Sequence, residues 1–189
     1  AEALCELVDH LNIPVAYSLM GKGALPDDHP FALGMTGFWG TKYINDSCRN
    51  ADTILALGTR FKEADSSSWY PEYTFDMEKT KLIQIDIDPS EIGRNYPVDI
   101  GVIANLKQAL GMLVKSARTL VPEGIKRDQL KQEIAEHRRE FKQSNSAMEQ
   151  SDSFPMMPER ILAEVREILP RDAIITTDVG WNKNGVGQQ

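Results

Sequence analysis

The sequence predicts an α/β protein built on a doubly wound parallel sheet, and three observations predict it. Short continuous apolar runs, such as Thr53-Ile-Leu-Ala-Leu57 and Lys81-Leu-Ile-Gln-Ile-Asp86, read as strands covered on both faces. Segments with apolar residues at helical spacing alternate with these runs. Each run then ends in a glycine or an Asp-rich turn, as where a strand hands over to a helix.

The first unit is a helix followed by a strand. Leu4, Leu7, Val8 and Leu11 recur at helical spacing, Asn12 breaks the pattern, and Ile13-Pro-Val-Ala-Tyr17 reads as a short buried strand. From residue 18 to 40 the chain is dense in Gly and Pro, which disrupts both regular periods and predicts a long irregular loop. Loops of this length are uncommon unless they bind something, although one that only packs against neighbouring structure fits equally well. Residues 41–50 form a helix with Ile44 and Cys48 on one face. The run 53–57 follows as a central parallel strand, then the strand 81–86, a short strand Ile100-Gly-Val-Ile103 and a helix over 106–114.

After Pro122 the composition shifts. Residues 126–143 are strongly charged, with Leu130, Ile134 and Phe141 leaving one narrow apolar stripe on a surface helix. A polar stretch, 144–153, leads to a helix opening at Pro158, a strand Ala173-Ile-Ile-Thr-Thr177, and a loop from Asp178. The expected organisation is a central domain over 1–121, a charged linker over 122–153, and the start of a second domain over 154–189. Residues 1–8 open inside a helical pattern without Met, and 185–189 stop within a loop, so the chain reads as an excised piece.

Composition limits the function. At 41% hydrophobic and 26% charged residues the chain is an ordinary globular one. A net charge of −7 without a basic stripe disfavours nucleic acid and anionic membrane surfaces as partners. No apolar run reaches the ~18 residues of a membrane span, which makes the cytoplasm the expected location. The cysteines Cys5 and Cys48 lack any paired spacing and are expected to be buried thiols. His10, His29 and His137 lie in unrelated settings and read as solvated or packing residues. No Gly-x-Ser-x-Gly elbow, phosphate loop or His-Glu-x-x-His is present.

Ligands of parallel α/β sheets bind beyond the carboxyl ends of the strands. Three segments stand there. Gly58-Thr-Arg60 puts a guanidinium where a phosphate or adenine could lie, but a turn with a surface arginine explains it as well. Asp86 and Asp88 could accept hydrogen bonds from ribose hydroxyls, or simply cap a strand-to-helix turn. Asp178-Val-Gly-Trp-Asn-Lys-Asn184 could wrap a diphosphate with the Gly180 backbone and the Asn182 amide.

Taken in order, Thr36-Gly-Phe-Trp-Gly-Thr41, Ala51 through Phe61, Gln84-Ile-Asp-Ile-Asp-Pro-Ser-Glu-Ile-Gly93 and Asp172-Ala-Ile-Ile-Thr-Thr-Asp-Val-Gly180 resemble the acetolactate synthase large subunit and its thiamine-diphosphate-dependent relatives. The resemblance implies a Rossmann-like central domain, with Leu19, Met20, Phe38, Trp39, Gly58, Arg60, Asp86 and Ile87 along a FAD or ADP in those members that bind one. It also implies that Val179, Gly180, Trp181 and Asn182 touch thiamine diphosphate. The chain departs from the flavin-binding pattern at Lys62-Glu-Ala64, where Asp-Asp-Arg is usual, and at Phe38-Trp39, where Met-His is usual. Trp181-Asn182 stands where many acetolactate synthases have Gln-His.

The Mg²⁺ ligands and the glutamate that activates the cofactor are expected outside this chain, so no catalytic or metal-binding residue is assigned within it. The implied activity of the intact protein is carboligation or decarboxylation of a 2-oxo acid, in a homodimer or homotetramer, with the present chain inactive alone. Two other functions stay open: a noncatalytic Rossmann-like module binding FAD, ADP or NAD, and a pure scaffold.

Overall fold

The computed structural model describes residues 2–188, and parallel strands alternate with helices through the first two-thirds of the chain. Two compact units divide the chain, Ala1–Lys131 and Gln132–Gln189.

In the first unit, helix α1 (Glu2–Leu11) leads to β1 (Val15–Tyr17), which pairs in parallel with β2 (Ala32–Met35). Helix α2 (Lys42–Arg49) leads to a second parallel sheet of β3 (Thr53–Leu57), β4 (Lys81–Asp86) and β5 (Ile100–Ile103), in the order β3-β4-β5. Helix α3 (Leu106–Leu120) closes the unit and packs on α1, where Arg118 Nη2 meets Glu6 Oε1 at 2.6 Å. The α/β class with parallel strands is as the sequence predicts, with the strands divided between two sheets.

Three differences have identifiable causes. The stretch read as irregular from 18 to 40 contains β2, whose apolar residues are buried against β1. Its period is broken by Gly34, at φ +123°, where a Cβ would lie 2.8 Å from Ile44 Cδ1 of α2. The glycine there marks close helix-on-strand packing, not a loop. Expected to be central, β3 is an outer strand of its sheet, and β4 holds the middle with Leu82, Gln84 and Ile85 buried. The helix expected to end at 143 continues through the polar residues as α4 (Asp128–Glu149).

The core of the first unit gathers Cys48, Ala56, Phe61, Phe75, Leu82 and Tyr96. Phe61 stands edge-on to Phe75 and Tyr96 with ring centroids 5.3 and 5.2 Å away. Such pairs add about 0.5–1.5 kcal/mol each beyond area burial. Two buried hydroxyls, Ser66 Oγ and Tyr96 Oη, face each other in this core. Burial pushes the Tyr96 phenol above its ordinary range, and pushes the Cys48 thiol up to about 12. Cys5, expected buried as well, is partly exposed on α1.

The second unit holds most of α4, then α5 (Pro158–Ile168) and α6 (Trp181–Gln188). Helix α5 opens on Pro158 as expected, because proline's fixed φ suits the first helical position. The segment 173–177, expected as a strand, forms none. Among the described residues no strand pairs with it, and without a ladder its alternating side chains are left outside, Ile174 being 92% exposed. The loop expected from Asp178 is cut short at Trp181 by α6, whose Gly185 lies so close to α5 that a Cβ would sit 2.7 Å from Leu162 Cδ1.

Candidate functional site

The loops that leave the carboxyl ends of β1 to β4 carry eight of the residues singled out in the sequence. After β1, a single helical turn Leu19–Gly21 presents Met20 almost fully to solvent and Leu19 partly buried. After β2, the turn Gly37–Trp39 exposes Phe38 and Trp39. That turn is held from both sides by one amide: Asn45 Oδ1 accepts from Gly37 N at 2.9 Å and Asn45 Nδ2 donates to Gly37 O at 2.9 Å. Thr36 N donates to Tyr17 O at 3.0 Å, which joins the ends of β1 and β2.

The β2 and β3 loops are in direct contact. Thr36 Oγ1 donates to Asp65 O at 3.0 Å, and a Cβ on Gly37 would stand 1.9 Å from Ala64 O. Gly58 turns the chain out of β3 at φ +62°, donating its N–H to Ile85 O at 2.9 Å. The loop then runs through Arg60 to a left-handed stretch, Ser67, Ser68 and Trp69, at φ 49°, 58° and 62°. Left-handed L-residues cost about 1–2 kcal/mol each. Hydrogen bonds from Trp69 Nε1 to Phe61 O, at 2.7 Å, and between Ser67 Oγ and Thr74 Oγ1, at 2.7 Å, oppose that cost.

Beyond β4, Asp86 is buried and Oδ1 accepts from Asp88 N at 3.0 Å, while Ile87 is exposed. Asp88 Oδ1 takes both the Ser90 hydroxyl, at 2.7 Å, and the Ser90 N–H, at 2.9 Å. The Ser90 hydroxyl above all, then its N–H and the nearby guanidiniums of Arg60 and Arg94, hold the Asp88 carboxyl below the usual carboxylate range.

Gly58, Arg60, Asp86 and Ile87 therefore meet at the adjacent ends of β3 and β4, with Phe38 and Trp39 on the loop packed beside them. Four residues to which the sequence assigned no role build this edge. Gln84, 2% exposed, donates Nε2 to Thr59 O at 3.2 Å and to Glu91 O at 2.9 Å, and accepts from Gly93 N at 2.9 Å. Asn95 Nδ2 donates to Arg60 O at 2.8 Å. Glu91 Oε1 lies 2.9 Å from Arg94 Nη1 and 3.7 Å from Arg60 Nε. The one signal for Gln84 was a long amide inside an otherwise apolar strand, since a buried amide must find partners.

Val179, Gly180, Trp181 and Asn182 belong to the second unit. Val179 is exposed, its N–H donates to Asp178 Oδ1 at 2.6 Å, and Trp181 opens α6. Gly180 does not emerge from a strand tip as expected, because 173–177 forms no strand. The N-terminus of α6 still offers backbone N–H groups beside a glycine, where an added Cβ would come within 2.9 Å of Asn182 Oδ1. A diphosphate fits that chemistry. Nearby, Asn184 Oδ1 is buried without a hydrogen-bond partner among the described residues.

His10 Nε2 donates to Val121 O at 2.8 Å, and His29 Nε2 pairs with Asp9 Oδ1 at 3.0 Å. Among the described residues no group of three His, Cys, Asp or Glu side chains is arranged to hold a metal ion, and no helix is long and apolar enough to cross a membrane.

The chain is similar to known proteins along nearly its whole length. The chain is 34% identical over 190 residues to a probable acetolactate synthase large subunit of Methanococcus aeolicus, a match over 96% of this chain and 31% of that protein. It is 35% identical over 189 residues to the corresponding protein of Methanocaldococcus jannaschii, covering 97% of this chain and 30% of the relative. Glyoxylate carboligase of Escherichia coli O157:H7 is 29% identical over 189 residues, 100% of this chain and 31% of the enzyme. The chain thus spans about a third of the length of these relatives. The profile of the thiamine pyrophosphate enzyme central domain matches residues 1–113, which contain all five strands and most of α3, and the chain belongs to the thiamine pyrophosphate enzyme family.

Proposed function

We propose that this chain forms the central domain, and the opening of the cofactor-binding domain, of a thiamine-diphosphate-dependent carboligase or decarboxylase acting on 2-oxo acids. The observation that carries the reading is similarity along nearly the whole chain to acetolactate synthases and a glyoxylate carboligase. The domains divide at 1–121, 122–153 and 154–189. Val179, Gly180, Trp181 and Asn182 hold part of thiamine diphosphate, with the α6 N-terminus and the Gly180 backbone toward its diphosphate. Bound there with Mg²⁺, the cofactor supplies an electron sink for a decarboxylating 2-oxo acid.

The residues of this chain bind and orient, and they exclude water. Those that move protons and hold the metal lie in other parts of the intact protein, which works as a homodimer or homotetramer, so the chain alone has no activity. Leu19, Met20, Phe38, Trp39, Gly58, Arg60, Asp86 and Ile87 border a nucleotide site in the central domain, for FAD or ADP. Support for this comes from the exposed apolar side chains of Met20, Phe38, Trp39 and Ile87 near a buried carboxylate and a guanidinium.

Calorimetric titration of the intact protein with thiamine diphosphate and Mg²⁺, followed by an assay of 2-oxo acid consumption, tests the proposal. Saturable cofactor binding and turnover are expected. A protein that takes up no thiamine diphosphate would refute it.

A further inference from the structure

We infer that the two sheets of the first unit are parts of one sheet, and that the free edges of β1 and β3 together receive a single extended apolar strand, supplied by the polypeptide that leads into α1. The inference stands apart from the cofactor reading and concerns an interaction surface on the backbone.

The free edges follow from hydrogen-bond parity. Lys81 N donates to Asp52 O at 2.9 Å and Gly58 N to Ile85 O at 2.9 Å, so the even-numbered residues of β3 turn their backbone groups toward β4. Successive residues of a strand direct their N–H and C=O to opposite edges, which leaves those of Thr53, Leu55 and Leu57 pointing away from β4. On β1, Val15 N donates to Phe31 O at 2.8 Å and Tyr17 O accepts from Thr36 N at 3.0 Å, so Ala16 turns its own groups away from β2. Among the described residues no strand pairs with this second edge of β1 or of β3. Both edges border one core, since Ala16 and Ile54 pack against the same cluster around Phe61 and Leu82.

Composition says that β3 is built for a neighbour on each side. Thr53-Ile-Leu-Ala-Leu57 is the kind of run found in inner parallel strands, yet Ala56 alone of the five is buried. It carries none of the lysines or prolines that block pairing at natural sheet edges. The outer edge of β5 is equally bare, and strand order decides between them.

The observed orders are β2-β1 and β3-β4-β5. One strand placed between β1 and β3, and counted first along the chain, turns them into 3-2-1-4-5-6, the usual order of doubly wound sheets. A parallel strand must reach β1 through a crossover, which is generally a helix. Helix α1 is in place for it, packed on α3 and separated from β1 by Asn12, Ile13 and Pro14 alone. The relatives are about three times as long as this chain, so polypeptide to supply the strand exists in proteins of this kind. As an inner strand the occupant has about five residues, is apolar on both faces, lacks proline, and runs parallel to both neighbours.

Hydrogen exchange, resolved to single amides by mass spectrometry, tests this on the full 189-residue chain and on the intact protein. In the chain, the amides of Ala16, Thr53, Leu55 and Leu57 should exchange at least about a hundredfold faster than those of Ile54, Ala56 and Gly58, and in the intact protein the four should slow to match them. Fast exchange of the four in the intact protein would overturn the inference, and this arm decides even where the shorter chain does not fold. Slow exchange of the four in the dilute chain would also overturn it, because the edges would then be closed from within. Slowing that appears in the chain only as its concentration rises would give the edges to a second copy and overturn the assigned occupant.

Discussion

At the residue scale, the site is governed by a few positions where no other side chain fits. Gly37, at φ +83°, is one, because a Cβ there would be driven to 1.9 Å from Ala64 O, a backbone atom that cannot rotate away. Gly37→Ala is therefore expected to destabilise the chain by about 2 kcal/mol or more, through left-handed strain and forced separation of two loops. Denaturant unfolding would measure it, and an unchanged midpoint would show that the loops yield freely. Gly34 is the related case inside a strand, its missing Cβ making room for Ile44. Both glycines stood out in the sequence, but only as irregularity. Nothing local distinguishes a glycine that permits a turn from one that admits a neighbour, since the neighbour arrives from elsewhere in the chain.

At the element scale, strands with apolar runs and helices with clean periodicity were legible: α1, α2, β3, β4, β5 and α3 all stand where the pattern puts them, with ends shifted by a few residues. What failed depended on partners. The segment 173–177 has the composition of a strand and no ladder to join, while β2 has a poor composition and a ladder beside β1. The site divided the same way. Arg60, Asp86 and Gly58 could be placed because they follow strands directly, whereas Glu91, Arg94 and Asn95 act across a turn that only the folded chain closes. Gln84 ties that turn to β4. Replacing it by methionine keeps the volume and leaves Thr59 O, Glu91 O and Gly93 N without their bonds, which should cost about 3 kcal/mol. Urea unfolding of Gln84→Met would read this, and a loss under half that size would mean that water replaces the amide.

At the scale of the whole molecule, the acidic balance of the sequence leaves few groups that titrate near neutrality, and His137 on α4 is one of them. Partial burial of its ring, the largest influence, opposes protonation and holds its pKa below the ordinary 6.5, with Arg138 acting the same way and Glu140 against it. The folded state therefore binds this proton less readily than the unfolded chain does. Stability is full above pH 6.5 and declines as the pH falls below it, toward the depressed folded value. Thermal melts between pH 7.5 and 5 should show that decline, and His137→Gln should flatten it. A curve of the same slope in the variant would assign the effect to other groups.

The contact of Gly37 with Ala64 also reaches beyond stability. Because these two loops touch backbone to backbone, the segment bearing Phe38 and Trp39 and the segment bearing Arg60 form one inheritable block. Homologues that lengthen or reshape one segment must adjust the other in step. Grafting either loop alone from a relative would carry half of a matched pair, so specificity in this region is best exchanged by transplanting both together.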